Sequence, residues 1–200
     1  MANDHPYNEA VLDIETSNTF QEVGGYHHDK LKISVIGVYF YETDEYICYE
    51  VDELSELWPR LEQADRLIGY NTEGFDFPVM NNYYAGDFMT FPSLDMLVNI
   101  KEALGFRLKL DDVAESCLGE GKTGHGLDAV DWWRNGEKEK VKQYCLDDVR
   151  VTKGVYEYGL KHGALAYEDR FGERKGIPVD FALKQEDKER ASNINLTMPI

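Results

Sequence analysis

The stretch LKISVIGVYFY (31–41) reads as a long strand, and EYICYEV (45–51) follows it across the turn ETDE. Two strand candidates joined so closely pair antiparallel. A third candidate, AVLDIE (10–15), precedes them. In DELSELWPRLEQA, Leu54, Leu57, Trp58 and Leu61 recur at helical spacing, and DRLIGYN (65–71) returns to a strand pattern. FDFPVMNNYYAG (75–86) reads as a helix closed by Gly86, and SLDML leads from a short strand into a helix through LVNIKEALG. KLDDVAESCLG (109–119) reads as a helix with Asp111 as candidate N-cap and Gly119 as its stop. LDAVDWWRNG and EKEKVKQYCLDDVRVTKGVYEYGLKHG are helical. The order predicts an α/β fold with a mixed central sheet, antiparallel at its start and parallel in its continuation, flanked by helices. Residues 1–176 are expected to form one domain, with 177–200 as a C-terminal tail.

A chain of 200 residues that is 42% apolar has enough material for one core. Its start, MANDHPYNEAVLDIE, has no basic n-region and no apolar h-region, so no secretory signal is expected. VIGVYFY is too short to span a bilayer, which argues against a membrane partner. Cys48, Cys117 and Cys145 are widely spaced and odd in number, which fits a reducing, cytoplasmic setting better than a disulfide framework. The net charge of −17 argues against general affinity for polyanions. The charge is uneven: residues 1–100 hold 4 Lys/Arg against 19 Asp/Glu, and residues 101–200 hold 17 against 19. A polyanion would lean on the second half, and the acids of the first half suit metal ligation.

Three groups of acids stand out. In VLDIET, Asp13 and Glu15 lie two apart on a strand, so both side chains leave one face. Chance alone yields about two DxE pairs at this composition, and Asp187 with Glu189 is another. Apolar context sets the first pair apart, because two acids in a buried strand cost stability unless solvated or metal-bound. In LIGYNTEGFDFPVM, a strand ends near Asn71 and Asp76 begins a helix. Sites in α/β sheets lie beyond the carboxyl ends of strands, although Asp76 also suits a plain N-cap and Asn71 an ordinary turn. In KQYCLDDVRVT, Tyr144 and Asp148 stand at i and i+4 on one helical face, with Asp147 rotated away. Tyr83 and Asp87 share that spacing, but Gly86 interrupts them.

Taken in order, these motifs resemble the DEDD superfamily of 3′–5′ exonucleases in its tyrosine-bearing branch. The closest likeness is to the proofreading exonuclease domain of family B DNA polymerases and its stand-alone relatives. The resemblance runs from about Val11 to Tyr158 and includes LDML and LDDVAESCLGEGK. It implies a ribonuclease-H-like fold. It implies that Asp13, Glu15, Asp76 and Asp148 are metal-binding catalytic acids, and that Tyr144 orients the attacking water. The sister branch places a histidine four or five residues before the last aspartate, where this chain has Tyr144 and Gln143. The implied cofactors are two divalent ions, Mg2+ or Mn2+, with Asp13 bridging both, Glu15 and Asp148 on one and Asp76 on the other through water. Asn71 and Phe75 are expected to bind the terminal nucleotide.

The implied activity is two-metal hydrolysis of phosphodiester bonds at single-stranded 3′ ends, with DNA favoured over RNA by the resemblance alone. Tyrosine's ordinary pKa near 10 suits positioning of water better than its deprotonation. A 3′–5′ exoribonuclease and a non-catalytic nucleic-acid-binding or scaffolding module are the rival readings, and the retained acids argue against the second. A replication or repair protein could supply the basic surface that so acidic a chain lacks. GEGKT (119–123) is not a phosphate-binding loop, since Ser116 stands where glycine is needed and a helix precedes it, yet Lys122 remains a candidate phosphate contact. Trp132 and Trp133 read as core, His27, His28 and His125 as surface residues, and Lys138, Lys142 and Arg150 as candidates to line a substrate groove.

Overall fold

The computed structural model describes residues 7–120 and 126–183. β1 (Glu9–Thr16), β2 (Ile33–Phe40) and β3 (Glu45–Glu50) form the antiparallel start. β4 (Arg66–Gly69) and β5 (Ser93–Asp95) continue it in parallel, in the order β3-β2-β1-β4-β5. The helices are α1 (Leu54–Glu62), α2 (Asp76–Met80), α3 (Met96–Leu104), α4 (Leu110–Leu118), α5 (Gly126–Arg134) and α6 (Lys138–His162). A separate hairpin of β6 (Ala164–Glu168) and β7 (Arg174–Pro178) follows α6. The mixed sheet is the one expected from the order of strands and helices.

Alternation along β1 divides the core. Ala10, Leu12 and Ile14 face α1 and α2, where they pack with Leu54, Leu57, Leu61, Phe77 and Met80. The odd-numbered residues face α6: Val11 packs with Val149, Val155 and Tyr156. On that same buried face β1 carries Glu9, Asp13 and Glu15, an unusual load of acid for a central strand. α6 runs antiparallel to β1 and meets both ends of this row. Asp148 and Tyr156 are eight residues apart, about 12 Å of helix, and Glu9 and Asp13 are about 13 Å apart along the strand.

Two expected elements differ. α2 covers five residues and not the whole of 75–86. Asn81 and Asn82 end it by turning their amides outward, to Asp87 Oδ1 at 2.8 Å and to the His28 carbonyl at 2.8 Å. The β6–β7 hairpin lies where the sequence suggests no strand. Gly163, in the left-handed region at φ 62°, stops α6 and starts the hairpin.

At the far end of β1, Glu9 is sealed from solvent opposite its strand partner Arg66. Arg66 Nε donates to Glu9 at 2.7 Å, and its Nη2 donates to Tyr156 at 3.0 Å and to the Phe181 carbonyl at 2.8 Å. Tyr156 donates to the second Glu9 oxygen at 2.6 Å. The buried carboxylate and guanidinium therefore join β1, β4, α6 and the segment after β7. Removing one partner strands the other charge. Arg66→Met is expected to lower unfolding free energy by about 3–5 kcal/mol, read by urea denaturation. A loss below about 1 kcal/mol, the range of an exposed pair, would show that water reaches Glu9.

Candidate metal and nucleic-acid site

Asp13 and Glu15 leave β1 toward α6, and Asp148 meets them from the helix. One carboxylate oxygen from each lies within 4.8 Å of the other two. Glu15 and Asp148 are buried and Asp13 is half-buried. Ionised carboxylates at this separation repel one another. An all-oxygen donor set of this kind suits a hard divalent cation such as Mg2+ or Mn2+. β1 is also irregular here, with a register shift between Glu15 and Thr16 that ends regular pairing beside the cluster.

α6 reaches the acids because Gly37 lies beneath it. Gly37 is the β2 partner of Asp13. A Cβ there would stand 2.8 Å from Cys145 Sγ, closer than such atoms approach, and a tight 3.1 Å from Val149 Cγ2. Cys145 Sγ donates to the Asp13 carbonyl at 3.4 Å. Hydrogen bonding with Cys48, and then burial, push this thiol well up from its ordinary value, so it stays protonated and serves as packing and donor. Tyr144 is buried against Val35, the β2 partner of Glu15, and its ring meets Trp132 edge-on at 5.7 Å. Asp147 turns outward, where Gln143 donates to it at 3.2 Å. Of the adjacent aspartates, only Asp148 joins the cluster.

Asp76 lines the same cavity from the other side. It is the first residue of α2 and not its N-cap, which is Phe75. Its carboxylate accepts from the Ile14 N–H at 3.1 Å and so ties α2 to the middle of the DxE strand segment. Burial, aided by the charge of Asp95, pushes Asp76 up to about 7, although its own and the Ile14 N–H groups pull the other way. Asp95, which the sequence reading passes over, is buried at the end of β5. It accepts from Asn71 N at 2.7 Å, Glu73 N at 3.0 Å and Leu97 N at 2.9 Å. One carboxylate thus caps α3 and holds the turn after β4, in which Asn71 takes a left-handed φ of 70°.

The cavity has a volume of about 390 Å3 and receives Asp13, Glu15, Asn71, Phe75, Asp76 and Asp148. Phe75 meets Phe20 edge-on at 5.8 Å, and Phe20 also lines the cavity. Phe20 comes from the long segment between β1 and β2, where no periodicity marks it. Lys122 and His125 fall outside the described residues. The three basic residues expected to line a groove are engaged in ion pairs. Lys138 and Lys142 hold Glu50 at 2.5 and 2.7 Å, and Arg150 holds Glu120 at 2.7 Å. Trp132 and Trp133 are half-buried and pack on the core cluster around Val35 and Tyr144, with Lys140 and Lys138 over their outer rings.

A family model for RNase_H_2, of the RNase H superfamily, matches residues 10–159. No curated protein matches the chain. Among solved structures, the family B DNA polymerase from the hyperthermophilic archaeon Pyrobaculum calidifontis is similar, with a TM-score of 0.59 and 20% identity over 78% of this chain and 25% of that one. At that identity the likeness is one of fold, and this chain spans about a quarter of the polymerase's length. Among the described residues, no helix is long and apolar enough to cross a membrane.

The raised pKa of Asp76 sets a pH signature. The folded protein holds this proton more tightly than the unfolded chain, so metal-free stability falls as pH rises from about 4 to about 7 and stays lowered above that. A bound cation favours the ionised form. The rise in melting temperature on adding Mn2+ is therefore expected to be larger at pH 8 than at pH 5.5, and nearly absent in Asp13→Ala. Equal Mn2+ shifts at both pH values in wild type and in Asp76→Asn would remove Asp76 from the site.

Proposed function

The chain belongs to the RNase H superfamily, and on that footing we propose that it is a metal-dependent 3′–5′ exonuclease of the tyrosine-bearing DEDD type, acting on single-stranded ends with DNA preferred over RNA. The observation that carries this reading is the meeting of Asp13, Glu15 and Asp148 within 4.8 Å, in a cavity that Asn71, Phe75 and Asp76 also line. Asp13, Glu15 and Asp148 would hold one divalent ion, and Asp76, with Asp13, a second. Mg2+ or Mn2+ bound there would stabilise charge on the phosphate and lower the pKa of the attacking water.

The chain's own residues supply the positions. Tyr144 is buried against Trp132 one helical turn before Asp148 on α6, and in this reading it orients water for in-line attack. A tyrosine's ordinary pKa near 10 suits alignment of the water better than its deprotonation. Phe75 and Phe20 offer ring edges and faces to the terminal base. Asn71 Oδ1 accepts from Arg107 at 2.6 Å, which turns the amide nitrogen toward the nucleotide as a donor. The left-handed turn held by Asp95 fixes that orientation. Lys122 is kept as a phosphate contact on the sequence argument alone.

The test uses 5′-labelled single-stranded DNA and RNA oligomers with Mg2+, Mn2+ or EDTA. A descending ladder that needs metal and is absent in Asp148→Ala is expected, with faster decay of DNA. Tyr144→Phe keeps the ring packing and is expected to slow cleavage about 10²-fold, the scale of a misplaced reactant. Internal cuts would indicate an endonuclease. No cleavage under any of these conditions would leave a module that binds nucleic acid without cutting it.

A further inference from the structure

A second hollow adjoins the acidic cavity. Tyr70 and Asn71 also line this one, of about 380 Å3, together with Arg107 and Lys109 from the loop between α3 and α4 and Asp111 from the start of α4. Leu108 passes from this cavity into a third, of about 410 Å3, lined by Phe106, Tyr167, Arg170 and Phe171. The first and second hollows share Tyr70 and Asn71 and the second and third share Leu108, so the three follow one another from the acidic cluster toward the β6–β7 hairpin.

The chemistry changes along them. The first hollow is acidic. The second offers two exposed cations, Arg107 and Lys109. Phosphate oxygens match the cations. The third hollow carries aromatic rings and Arg170 beside the acids Glu168 and Asp169. Phe106 is 47% exposed and Phe171 73% exposed, although a soluble fold gains nothing by showing them. Phe106 and Tyr167 meet edge-on at 6.1 Å, and the Arg170 guanidinium lies 4.7 Å from the centre of the Phe171 ring. Exposed rings with arginine over them are the platform on which unpaired bases stack.

These parts are held in place. Tyr70 donates to the Leu108 carbonyl at 3.0 Å, and Arg107 to Asn71 at 2.6 Å, so the loop is fastened to the end of β4. The hairpin rests on α4, where Cys117 Sγ accepts from Ala166 N at 3.1 Å. At its tip Asp169 Oδ1 accepts from Phe171 N at 2.9 Å and Glu173 N at 3.0 Å, which gives the turn one shape and points Phe171 outward.

We infer that this track binds the single strand that continues from the 3′ end seated in the acidic cavity, with Arg107 and Lys109 on its phosphates and Phe106 and Phe171 beneath its bases. The direction of the strand rests on the exonuclease reading, and the track itself does not. Base stacking is indifferent to sequence and needs no net positive charge, which reconciles strand binding with a chain of net charge −17.

The experiment measures Kd by fluorescence anisotropy for 5′-fluorescein oligothymidylates of two, four and ten nucleotides, in Ca2+ without Mg2+. Wild type is expected to bind the ten-mer far more tightly than the dinucleotide. Phe171→Ser and Arg170→Gln, both at exposed positions of the hairpin tip, are expected to raise the ten-mer Kd about tenfold while shifting the dinucleotide Kd less than about twofold. Phe171→Trp is expected to keep the ten-mer affinity. Lys161→Gln, an equal loss of charge at the far end of α6, is expected to change neither. A wild-type Kd independent of length, or a ten-mer Kd unchanged in Phe171→Ser and Arg170→Gln, would overturn the track. Cleavage of 3′ ends by wild type is scored separately. Length-dependent binding without cleavage keeps the track and removes the exonuclease, and cleavage without length dependence does the reverse.

Discussion

The contact of α6 with the sheet governs the rest. The helix lies on β2 at the one position without a side chain, Gly37, and there the Cys145 thiol and the Val149 methyl fill the space a Cβ would take. Because Gly37 is also the register partner of Asp13, the closest approach of helix and sheet falls beside the first acid. The same helix is tied at its other end through Tyr156 to the buried Glu9 and Arg66. With both ends held, Asp148 cannot slide along β1. Its distance from Asp13 and Glu15 is a consequence of packing and not of any attraction among three like charges.

That placement works against stability. Acids on the buried face of a central strand lose hydration and repel one another. The fold offsets this with donors where it can. Asp76 takes the Ile14 N–H, Asp95 takes three backbone N–H groups, and Glu9 takes an arginine and a tyrosine. Asp13, Glu15 and Asp148 come together on one cavity. An all-oxygen cluster of this kind could hold a divalent cation.

Much of the site was legible because its members sit on regular elements. Period-two alternation puts Asp13 and Glu15 on one face, and helical period puts Tyr144 with Asp148 and turns Asp147 away. Asp76 was legible by order, though its role as a tie to β1 was not. Asp95, Phe20 and Arg107 escaped notice because strand ends and loops bring them in, where spacing in sequence says nothing about distance. Lys138, Lys142 and Arg150 looked available for a substrate because a sequence shows charges without their partners. Glu50 and Glu120, which hold them, lie 88 and 30 residues from Lys138 and Arg150.

The sequence by itself determined the run of strands and helices along the chain, the alternation that puts Asp13 and Glu15 on one face of β1, and which aspartate of the adjacent pair shares a face with Tyr144. These are local matters of period and turn chemistry, and short-range sterics decide them. Only the tertiary structure decided that the acids meet within 4.8 Å, that Asp76 is pushed up to about 7, and that further hollows adjoin the acidic cavity at Tyr70 and Asn71 and then at Leu108. Those outcomes depend on how closely α6 can approach β2 and on where the β6–β7 hairpin comes to rest. Both are set by contacts between residues far apart in the chain, which no local pattern encodes.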